Sequence, residues 1–358
     1  MENWSTTEYW NIGEETGLHA RLRGVTSIVF VVATVIASLM LYGCGGTSSG
    51  STSGESATLN LVGYSTIEEA YNKLTPAFGK TDAGKNVSFR TSYGPSGDQS
   101  RAVEAGQPAD VVAFSLEPDM TRLVDDKLVA SDWNKNEYNG MITDSVVALV
   151  VRKGNPKGIH DWSDLTKPGV EVITPNPFSS GGAKWNIMAA YGAQLKQGKS
   201  PAEAQAYLKD LFSNVPVEPG SARDALQTFT GGKGDVLISY ENEAILAKRE
   251  DSSLQYMVPD QTILIENPIA VTSNTKYPDQ ANSFLDFLYS PKGQHIFGEV
   301  GYRPVDKKVL GQFDYPEPPD LFTIKSLGGW EKVDAKFFDD PQTSVMAKIN
   351  RSLGQPTE

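Results

Sequence analysis

The sequence predicts an α/β fold built on a largely parallel sheet. Short β-branched and apolar runs alternate with stretches of helical apolar spacing, which is typical of successive βα units. The chain has 358 residues, which is long for a single hydrophobic core and suits two lobes. We interpret two long apolar strands, 144–152 and 262–271, as the two crossings between these lobes.

The first 56 residues differ in composition from the rest. Residues 25–42 contain no charge, follow two arginines and lead into Gly43 and Cys44. This pattern predicts an export signal over residues 1–43 with lipidation of Cys44, and an uncleaved membrane anchor is the alternative. Residues 44–56 are then the lipidated cysteine and a flexible Gly/Ser tether.

The first junction of the folded part, LVGYSTIEE, joins a strand to a helix. Ser65 stands at the predicted N-cap with Glu68 three residues later, which predicts a capping box. Helical spacing of apolar residues then predicts the buried face of the helix, formed by Ile67, Ala70, Tyr71, Leu74 and Phe78.

A second junction follows the predicted strand 87–91. Ser96 and Gly97 open the next helix, and 109–114 is the strand after it. Asp98 in the first helical turn has two interpretations. It is either an acceptor for a protonated ligand or a charge that is favourable at a helix start without any ligand.

The third junction has the clearest pattern for anion binding. A strand at 170–174 is ended by two prolines, Ser180 stands at a helix N-cap, and Gly181 and Gly182 occupy the first turn. The first N–H groups of a helix have no internal acceptor, and glycines allow an anion to approach them closely. A capped helix start without a ligand is the alternative.

Two further junctions complete the series. A short strand around Val217 precedes Ser221 at an N-cap, with Ala222 in the first turn, and the strand GDVLISY ends at Tyr240 just before a helix. Ligands of open α/β sheets lie beyond the carboxyl ends of the strands, so these junctions are expected to form one cavity lined by donors. After residue 278 helical patterns predominate.

Composition excludes several classes of function. A net charge of −12 argues against nucleic acid as a partner. Cys44 is the only cysteine, and His19, His160 and His295 have no partners at ligand spacing, so no metal or cofactor is expected. The serines do not form a GxSxG nucleophile motif. We expect no enzyme, with an exported hydrolase of sulfate or phosphate esters as the alternative from a different class.

Four segments carry a family resemblance: residues 151–186, 234–244, 289–304 and 321–330. They are similar to the sulfate-binding proteins of bacterial ABC transporters, and the similarity extends over nearly all of residues 57–340. It implies a two-lobed periplasmic-binding-protein type II fold with two interlobe crossings. The predicted boundaries are 57–143 plus 268–358 for lobe 1 and 144–267 for lobe 2.

The resemblance also implies a function and a location. The protein would close on one sulfate ion at the interlobe cleft and deliver it to an ABC transporter permease. We expect a monomer held outside the cytoplasm, at the outer face of the cell membrane, by its lipid anchor. Binding of thiosulfate, phosphate or molybdate on the same fold remains open.

The sulfate site is carried over position by position. Two positions depart from the family, because Ser65 stands where it commonly has Asp and Tyr240 where it commonly has Trp. A tyrosine hydroxyl can accept a hydrogen bond as well as donate one. Sulfate carries no proton and suits a site of donors, whereas phosphate near neutral pH also needs an acceptor. The positions that match the family are Ser96, Ser180, Gly181, Gly182 and Ala222.

Overall fold

The computed structural model describes residues 56–357. The predicted signal segment 1–43, the lipidation site Cys44 and all but the last residue of the tether 44–56 lie outside these residues and stay predictions. No helix in the described part is both long enough and apolar enough to cross a membrane.

The described strands belong to one twisted assembly with the order β2-β1-β3-β8-β4-β6-β5, in which β10 joins β8 while β7 and β9 join β4. The strands are β1 (Ala57–Tyr64), β2 (Val87–Gly94), β3 (Val111–Ala113), β4 (Met141–Val151), β5 (Val172–Ile173), β6 (Val236–Tyr240), β7 (Gln255–Met257), β8 (Gln261–Val271), β9 (Arg303–Pro304) and β10 (Asp320–Phe322).

The sheet is mixed, so the prediction of a largely parallel sheet is wrong at its centre. β1 is parallel to β2 and β3, and β5 is parallel to β6. β8 is antiparallel to β3 and β4, and β4 is antiparallel to β6. The physical reason is the path of the chain. It runs along β4 from the half of the sheet that contains β1 to the half that contains β6 and returns along β8, so these central strands run in opposite directions.

The two long strands cross between the halves of the sheet, as predicted. Residues 141–146 of β4 pair with β8, whereas residues 147–151 pair with β6. In the same way β8 pairs with β4 through residues 264–268 and with β3 through residues 269–271. Each strand therefore belongs to both halves, which is how two lobes share one chain.

Helices cover both halves. We call β1, β2 and β3 with α1, α2 and α3 the β1 side, and β5, β6 and β7 with α4 to α7 the β6 side. The helices are α1 (Glu68–Phe78), α2 (Ser96–Glu104), α3 (Glu117–Asp125), α4 (Gly181–Lys196), α5 (Pro201–Ser213), α6 (Ala222–Thr230), α7 (Glu241–Glu250), α8 (Pro278–Tyr289), α9 (Pro291–Glu299), α10 (Lys307–Leu310), α11 (Trp330–Phe337) and α12 (Val345–Leu353).

Most of the predicted helix starts are confirmed. α2 begins at Ser96, Ser180 caps α4 by accepting from the N–H of Ala183, and Ser221 caps α6 by accepting from the N–H of Asp224. Ser180 and Ser221 act as caps because a short side-chain oxygen can reach the free N–H groups of the first turn.

The capping box at Ser65 is wrong. The extended backbone of β1 continues through Tyr64, and Ser65 is already the first residue of a 3-10 turn, Ser65–Ile67, without a side-chain cap. A capping residue needs a non-helical backbone, which Ser65 does not have. The helix α1 then starts at Glu68.

The predicted strand around Val217 is also wrong. This segment lies beside β5, but its contacts are isolated: the N–H of Val172 bonds to Asn214 O and the N–H of Asn176 bonds to Pro219 O, both over 2.8 Å. Pro216 precedes Val217 and Pro219 follows it, and prolines lack the N–H that a ladder of hydrogen bonds requires.

The core confirms the predicted apolar face of the first helix. All of its members are at most 1% exposed and pack against the buried residues of the central strands. At about 1.5–3 kcal/mol for each large apolar side chain removed from water, this face holds α1 on the sheet. Its members are Ile67, Ala70, Tyr71, Leu74 and Phe78.

The C-terminal helices pack on the β6 side. Trp330 of α11 contacts Trp185 of α4 edge-on, with ring centroids 4.7 Å apart, and α12 lies against α5. The predicted lobe boundaries, 57–143 plus 268–358 and 144–267, stay a prediction. These contacts show that the last helices, predicted as part of lobe 1, touch the helices predicted as lobe 2.

A half-buried carboxyl ties α12 to the loop before α6. Asn350 Nδ2 donates to Glu218 Oε2 over 3.0 Å, while Glu218 Oε1 and Asn350 Oδ1 are buried acceptors without a donor in the described part of the chain. Burial raises the pKa of Glu218 to about 7, against the lowering effect of the Asn350 hydrogen bond. A protonated Glu218 can donate to Asn350 Oδ1 and so satisfy both acceptors.

This pair predicts a pH-dependent stability. Because the pKa of Glu218 is raised in the folded state, its stabilising effect is complete below its ordinary pKa of 4.5 and is lost as pH rises through about 7. Glu218→Gln keeps a donor and does not titrate. Urea unfolding should show the parent losing stability relative to Glu218→Gln between about pH 5 and about pH 8.

The control is Glu171→Gln, which neutralises an exposed carboxylate. Its stability difference from the parent should be the same at both pH values. An unchanged difference for Glu218→Gln as well would contradict the proposed protonation.

Candidate functional site

The start of α4 lies beside the start of α6 and the end of β6. A methyl group placed on Gly182 would lie 3.2 Å from Ala222 Cβ, 3.4 Å from Ser180 Oγ and 3.5 Å from Tyr240 Cε1. Ser180, Ala222 and Tyr240 are 3%, 5% and 1% exposed. Four of the predicted site residues therefore meet in one buried place.

The start of α2 reaches the same place from the β1 side. The N–H of Gly97 donates to Ser179 O over 3.1 Å, which joins α2 to the loop before α4. Ser96 is 3% exposed, and its hydroxyl accepts from the N–H of Ser115 over 2.9 Å. A methyl group on Gly181 would lie 2.6 Å from Ser115 Oγ, so Ser115 connects Ser96 to the start of α4.

Ser65 reaches the cluster through its 3-10 turn. The turn Ser65–Ile67 packs against α6, and Ser65 is 9% exposed. Tyr64, the residue before it, has its ring centroid 6.5 Å from that of Tyr240. The fold thus brings all seven predicted residues, from five junctions, to one region.

The helix starts offer donors that the fold itself does not use. The N–H groups of Gly181, Gly182 and Ala222 have no acceptor outside their own helices in the described part of the chain, and their positions in the first turn give them none inside. Ser180 Oγ accepts from the N–H of Ala183, which leaves its own proton to donate. Such groups are costly to bury without an acceptor, so they favour a ligand that accepts hydrogen bonds.

The hydroxyl of Ser96 is not among these free donors. It donates to Asp119 Oδ2 over 2.6 Å while accepting from Ser115. Burial raises the pKa of the Asp119 carboxyl, and the charge of Lys184 and the hydrogen bond from Ser96 oppose this rise. Ser96 can therefore serve a ligand only through its backbone N–H.

Tyr240 supplies a neutral hydroxyl. Its oxygen lies 2.5 Å from Ser115 Oγ, and either atom can be the donor. Burial raises the pKa of Tyr240 above its ordinary value, so the group stays protonated at physiological pH.

The sequence reasoning missed Ser115. Its position two residues after β3, beyond the carboxyl end of a strand, was the one signal that could have found it.

The cations around the cluster are paired with acids. Arg223, next to Ala222, forms a bidentate ion pair with the buried Glu243 through contacts of 2.9 and 3.0 Å. Lys184 contacts Asp334 over 3.0 Å. Their positive charge is offset locally, so the donors of the cluster are neutral groups and helix dipoles.

Asp98 pairs with Arg101 one helical turn away on α2, at a half-exposed position. The Asp98 carboxylate is therefore engaged by a residue of its own helix. This agrees with the interpretation of Asp98 as a charge that is favourable at a helix start.

A small cavity of about 20 Å³ adjoins the cluster. Ser180 and Gly181 are among its lining residues, and it has room for about one water molecule. We call it the small cavity. Its charged lining residues are Arg101, Asp119, Arg122 and Lys184.

A larger cleft, with a volume of about 930 Å³, shares Arg122 with the small cavity. Its lining contains many carboxylates and few basic groups, so it is unsuited to an anion. Its acids are Glu104, Glu117, Asp125, Asp126, Glu266, Glu331, Asp334 and Asp339.

The described residues contain no group of three or more His, Cys, Asp or Glu side chains placed to hold a metal ion. His160 is exposed, and His295 contacts Glu299 and Gln312 near α9. Neither histidine has a hydrogen bond to a serine of the cluster among the contacts that the structure shows.

Comparison with known proteins agrees with this architecture. The family model of bacterial extracellular solute-binding proteins matches residues 59–303. The chain belongs to this family. Such proteins are the components of ABC importers that capture the solute outside the cytoplasm.

Individual relatives cover most of the chain. A sulfate-binding protein of Synechococcus elongatus is 40% identical over 331 residues, which is 88% of this chain and 93% of that protein. A thiosulfate-binding protein of Pseudomonas aeruginosa is 34% identical over 293 residues, or 78% of this chain and 88% of that protein. These names describe binding rather than catalysis.

A solved structure shows the same fold. The sulfate-binding protein SubI from Mycobacterium tuberculosis H37Rv is 44% identical, with a TM-score of 0.76, and the match covers 78% of this chain and 98% of that one. The two-lobed periplasmic-binding-protein type II fold with two crossings is therefore confirmed.

The two glycines at the start of α4 predict different effects on stability. A methyl group at Gly181 would lie 2.3 Å from Leu116 Cδ2 and 2.6 Å from Ser115 Oγ, whereas one at Gly182 finds its nearest atom at 3.2 Å. Overpacking should make Gly181→Ala roughly 1–3 kcal/mol less stable than the parent. Gly182→Ala should stay within about 1 kcal/mol, since alanine favours a helix. Urea unfolding measures both, and equal losses would contradict the geometry.

Proposed function

We propose that the chain binds one dehydrated sulfate dianion in the cleft between its two lobes and delivers it to an ABC transporter permease. The observation that carries the proposal is the convergence of helix starts whose N–H groups, at Gly181, Gly182 and Ala222, are buried and free. Helix N-termini favour anions through both these N–H groups and the helix dipole.

Each predicted residue has a role in this proposal. Gly181, Gly182 and Ala222 donate through backbone N–H groups. Ser65 and Ser96 also act through their backbone, because Ser65 is inside a turn and the Ser96 hydroxyl is engaged with Asp119. The two side chains that donate to the anion are Ser180 and Tyr240, whose hydroxyls are neutral.

Charge balance supports a ligand that is recognised by dipoles. Arg223 and Lys184 are offset by Glu243 and Asp334, so a bound dianion meets partial positive charges rather than a free cation. The net charge of −12 does not oppose this, since net charge governs solubility and long-range steering rather than a buried site.

The site favours an anion without a proton. Two carboxylates lie near the start of α2, Asp98 on α2 itself and Asp119 on α3, and both accept from groups of this chain, namely Arg101 and Ser96. A protonated phosphate would have to compete for them, whereas sulfate needs donors alone. Thiosulfate, the ligand in the name of one relative, is also a dianion without a proton and remains the alternative ligand.

Membrane attachment is part of the same proposal. Lipidation of Cys44 would hold the protein at the outer face of the cell membrane. Within this role the protein acts as a monomer that docks on the permease.

Calorimetric titration tests the ligand. Sulfate should bind more tightly than phosphate or molybdate, and its affinity should stay nearly flat from about pH 5 to 8, because neither sulfate nor backbone N–H groups titrate there. A tenfold or larger loss within that range, with the fold intact, would point to a titrating acceptor such as Asp119 and would favour phosphate.

Gly182→Ala is the matched variant for this titration. Its methyl group would stand between Ser180 Oγ, Ala222 Cβ and Tyr240, where the anion is expected. The variant should fold and lose at least about 100-fold in sulfate affinity, the effect of roughly two lost hydrogen bonds to a charged group. Full affinity in Gly182→Ala would place the anion elsewhere.

Membrane attachment has its own test. Cys44→Ser removes the atom that would carry the lipid, so the protein should appear in the soluble extracytoplasmic fraction or remain unprocessed. Cell fractionation measures this, and calorimetry of the soluble protein should show unchanged sulfate binding. Normal processing with full membrane retention would count against lipidation.

A further inference from the structure

Ser115 lies at the centre of the candidate site with all of its polar groups engaged. Its N–H donates to Ser96 Oγ over 2.9 Å. Its carbonyl oxygen accepts from Trp185 Nε1 over 2.8 Å and from Asn267 Nδ2 over 2.9 Å. Its hydroxyl oxygen lies 2.5 Å from that of Tyr240. Contacts from α2, α4, β6 and β8 thus fix a residue that is 1% exposed.

The hydroxyl of Ser115 lies at the N-terminal end of α4, the helix that offers two of the free N–H donors. The position of a methyl group on Gly181 would be 2.6 Å from Ser115 Oγ and 2.7 Å from Ser115 Cβ. The glycine is therefore required to admit Ser115 to the start of α4. An anion held by the N–H groups of Gly181 and Gly182 would be adjacent to this hydroxyl.

A count of protons shows what the pair of hydroxyls can do. Ser115 and Tyr240 have one hydroxyl proton each, and one of these lies between the two oxygens. The other has no acceptor in the hydrogen bonds of the described residues. Whichever oxygen donates to the other, the pair keeps one spare proton.

We propose that Ser115 is a further sulfate-binding residue, which acts with Tyr240 as one donor unit. The hydroxyl proton that is not shared between the two oxygens points to the anion. The hydrogen bond between Ser115 and Tyr240 polarises the hydroxyl that carries this proton. The inference rests on the proposed function and adds a residue to the predicted site. Ser115 comes from the β1 side and Tyr240 from the β6 side, so the unit forms only when these two sides are in contact.

The proposal predicts that the two hydroxyls are coupled. Removal of either hydroxyl leaves the other without the hydrogen bond that orients and polarises its proton, so Ser115→Ala and Tyr240→Phe should each lower sulfate affinity roughly 10- to 150-fold, the range for hydrogen bonds to charged groups. The double variant should lose no more than about threefold beyond the larger single loss, because the unit supplies one proton to the ligand.

The experiment is a double-mutant cycle by calorimetric titration with sulfate. Ser115→Ala keeps the backbone contacts to Ser96, Trp185 and Asn267, and thermal unfolding shows whether each variant is folded. Where Ser115→Ala unfolds, Ser115→Cys keeps the volume, replaces the hydroxyl by a weak donor and serves the same cycle.

Ser239→Ala is the matched control. Ser239 is 1% exposed, precedes Tyr240 on β6 and has a hydroxyl without a partner among the described residues. Its removal should leave sulfate affinity within about twofold of the parent.

The outcomes separate two failures. A parent protein that does not bind sulfate would overturn the proposed function itself. A parent that binds sulfate, together with unchanged affinity in Ser115→Ala or with additive losses in the double variant, would overturn the role of Ser115 alone.

Discussion

Buried N–H groups without acceptors are the constraint on which the rest of this structure depends. The starts of α4 and α6 bring the N–H groups of Gly181, Gly182 and Ala222 to one place, and no group of their own helices can satisfy them. Leaving such groups unpaired in a closed cleft is costly, so the arrangement is complete only with an acceptor from outside the chain. The neighbouring cations are offset, since Arg223 pairs with Glu243. The site is therefore strongly polar and yet close to electrically neutral.

The topology of the sheet explains how donors from distant parts of the chain meet. β4 and β8 cross between the two halves and run antiparallel, so the junctions of the β1 side face those of the β6 side. Ser115, after β3, lies where they meet: its N–H bonds to α2 and its hydroxyl to the end of β6. Contact between the halves and assembly of the site are thus one event. Capture of a solute in such a cleft stabilises the closed form by its differential affinity for it.

Local chemistry made much of the fold and site predictable. Ser180 and Ser221 are caps because short hydroxyls reach free N–H groups, a rule that needs no tertiary information. The long apolar strands revealed the crossings, but not that they run antiparallel, since strand direction depends on the path of the whole chain. The capping box at Ser65 failed because the helical turn begins at Ser65 itself, one residue earlier than the pattern predicts. Spacing alone could not identify Ser115, because its hydrogen-bond partners lie far away in sequence, and only its position beyond the end of β3 marked it.

The central claim is that an anion is held by neutral donors rather than by cations, and the structure of the protein crystallised with sulfate tests it most directly. The account predicts sulfate oxygens about 2.7–3.2 Å from the N–H nitrogens of Gly181, Gly182 and Ala222, with no Lys or Arg nitrogen in contact. A sulfate bound instead in the small cavity by Arg101, Arg122 or Lys184, with these N–H groups still free, would contradict it.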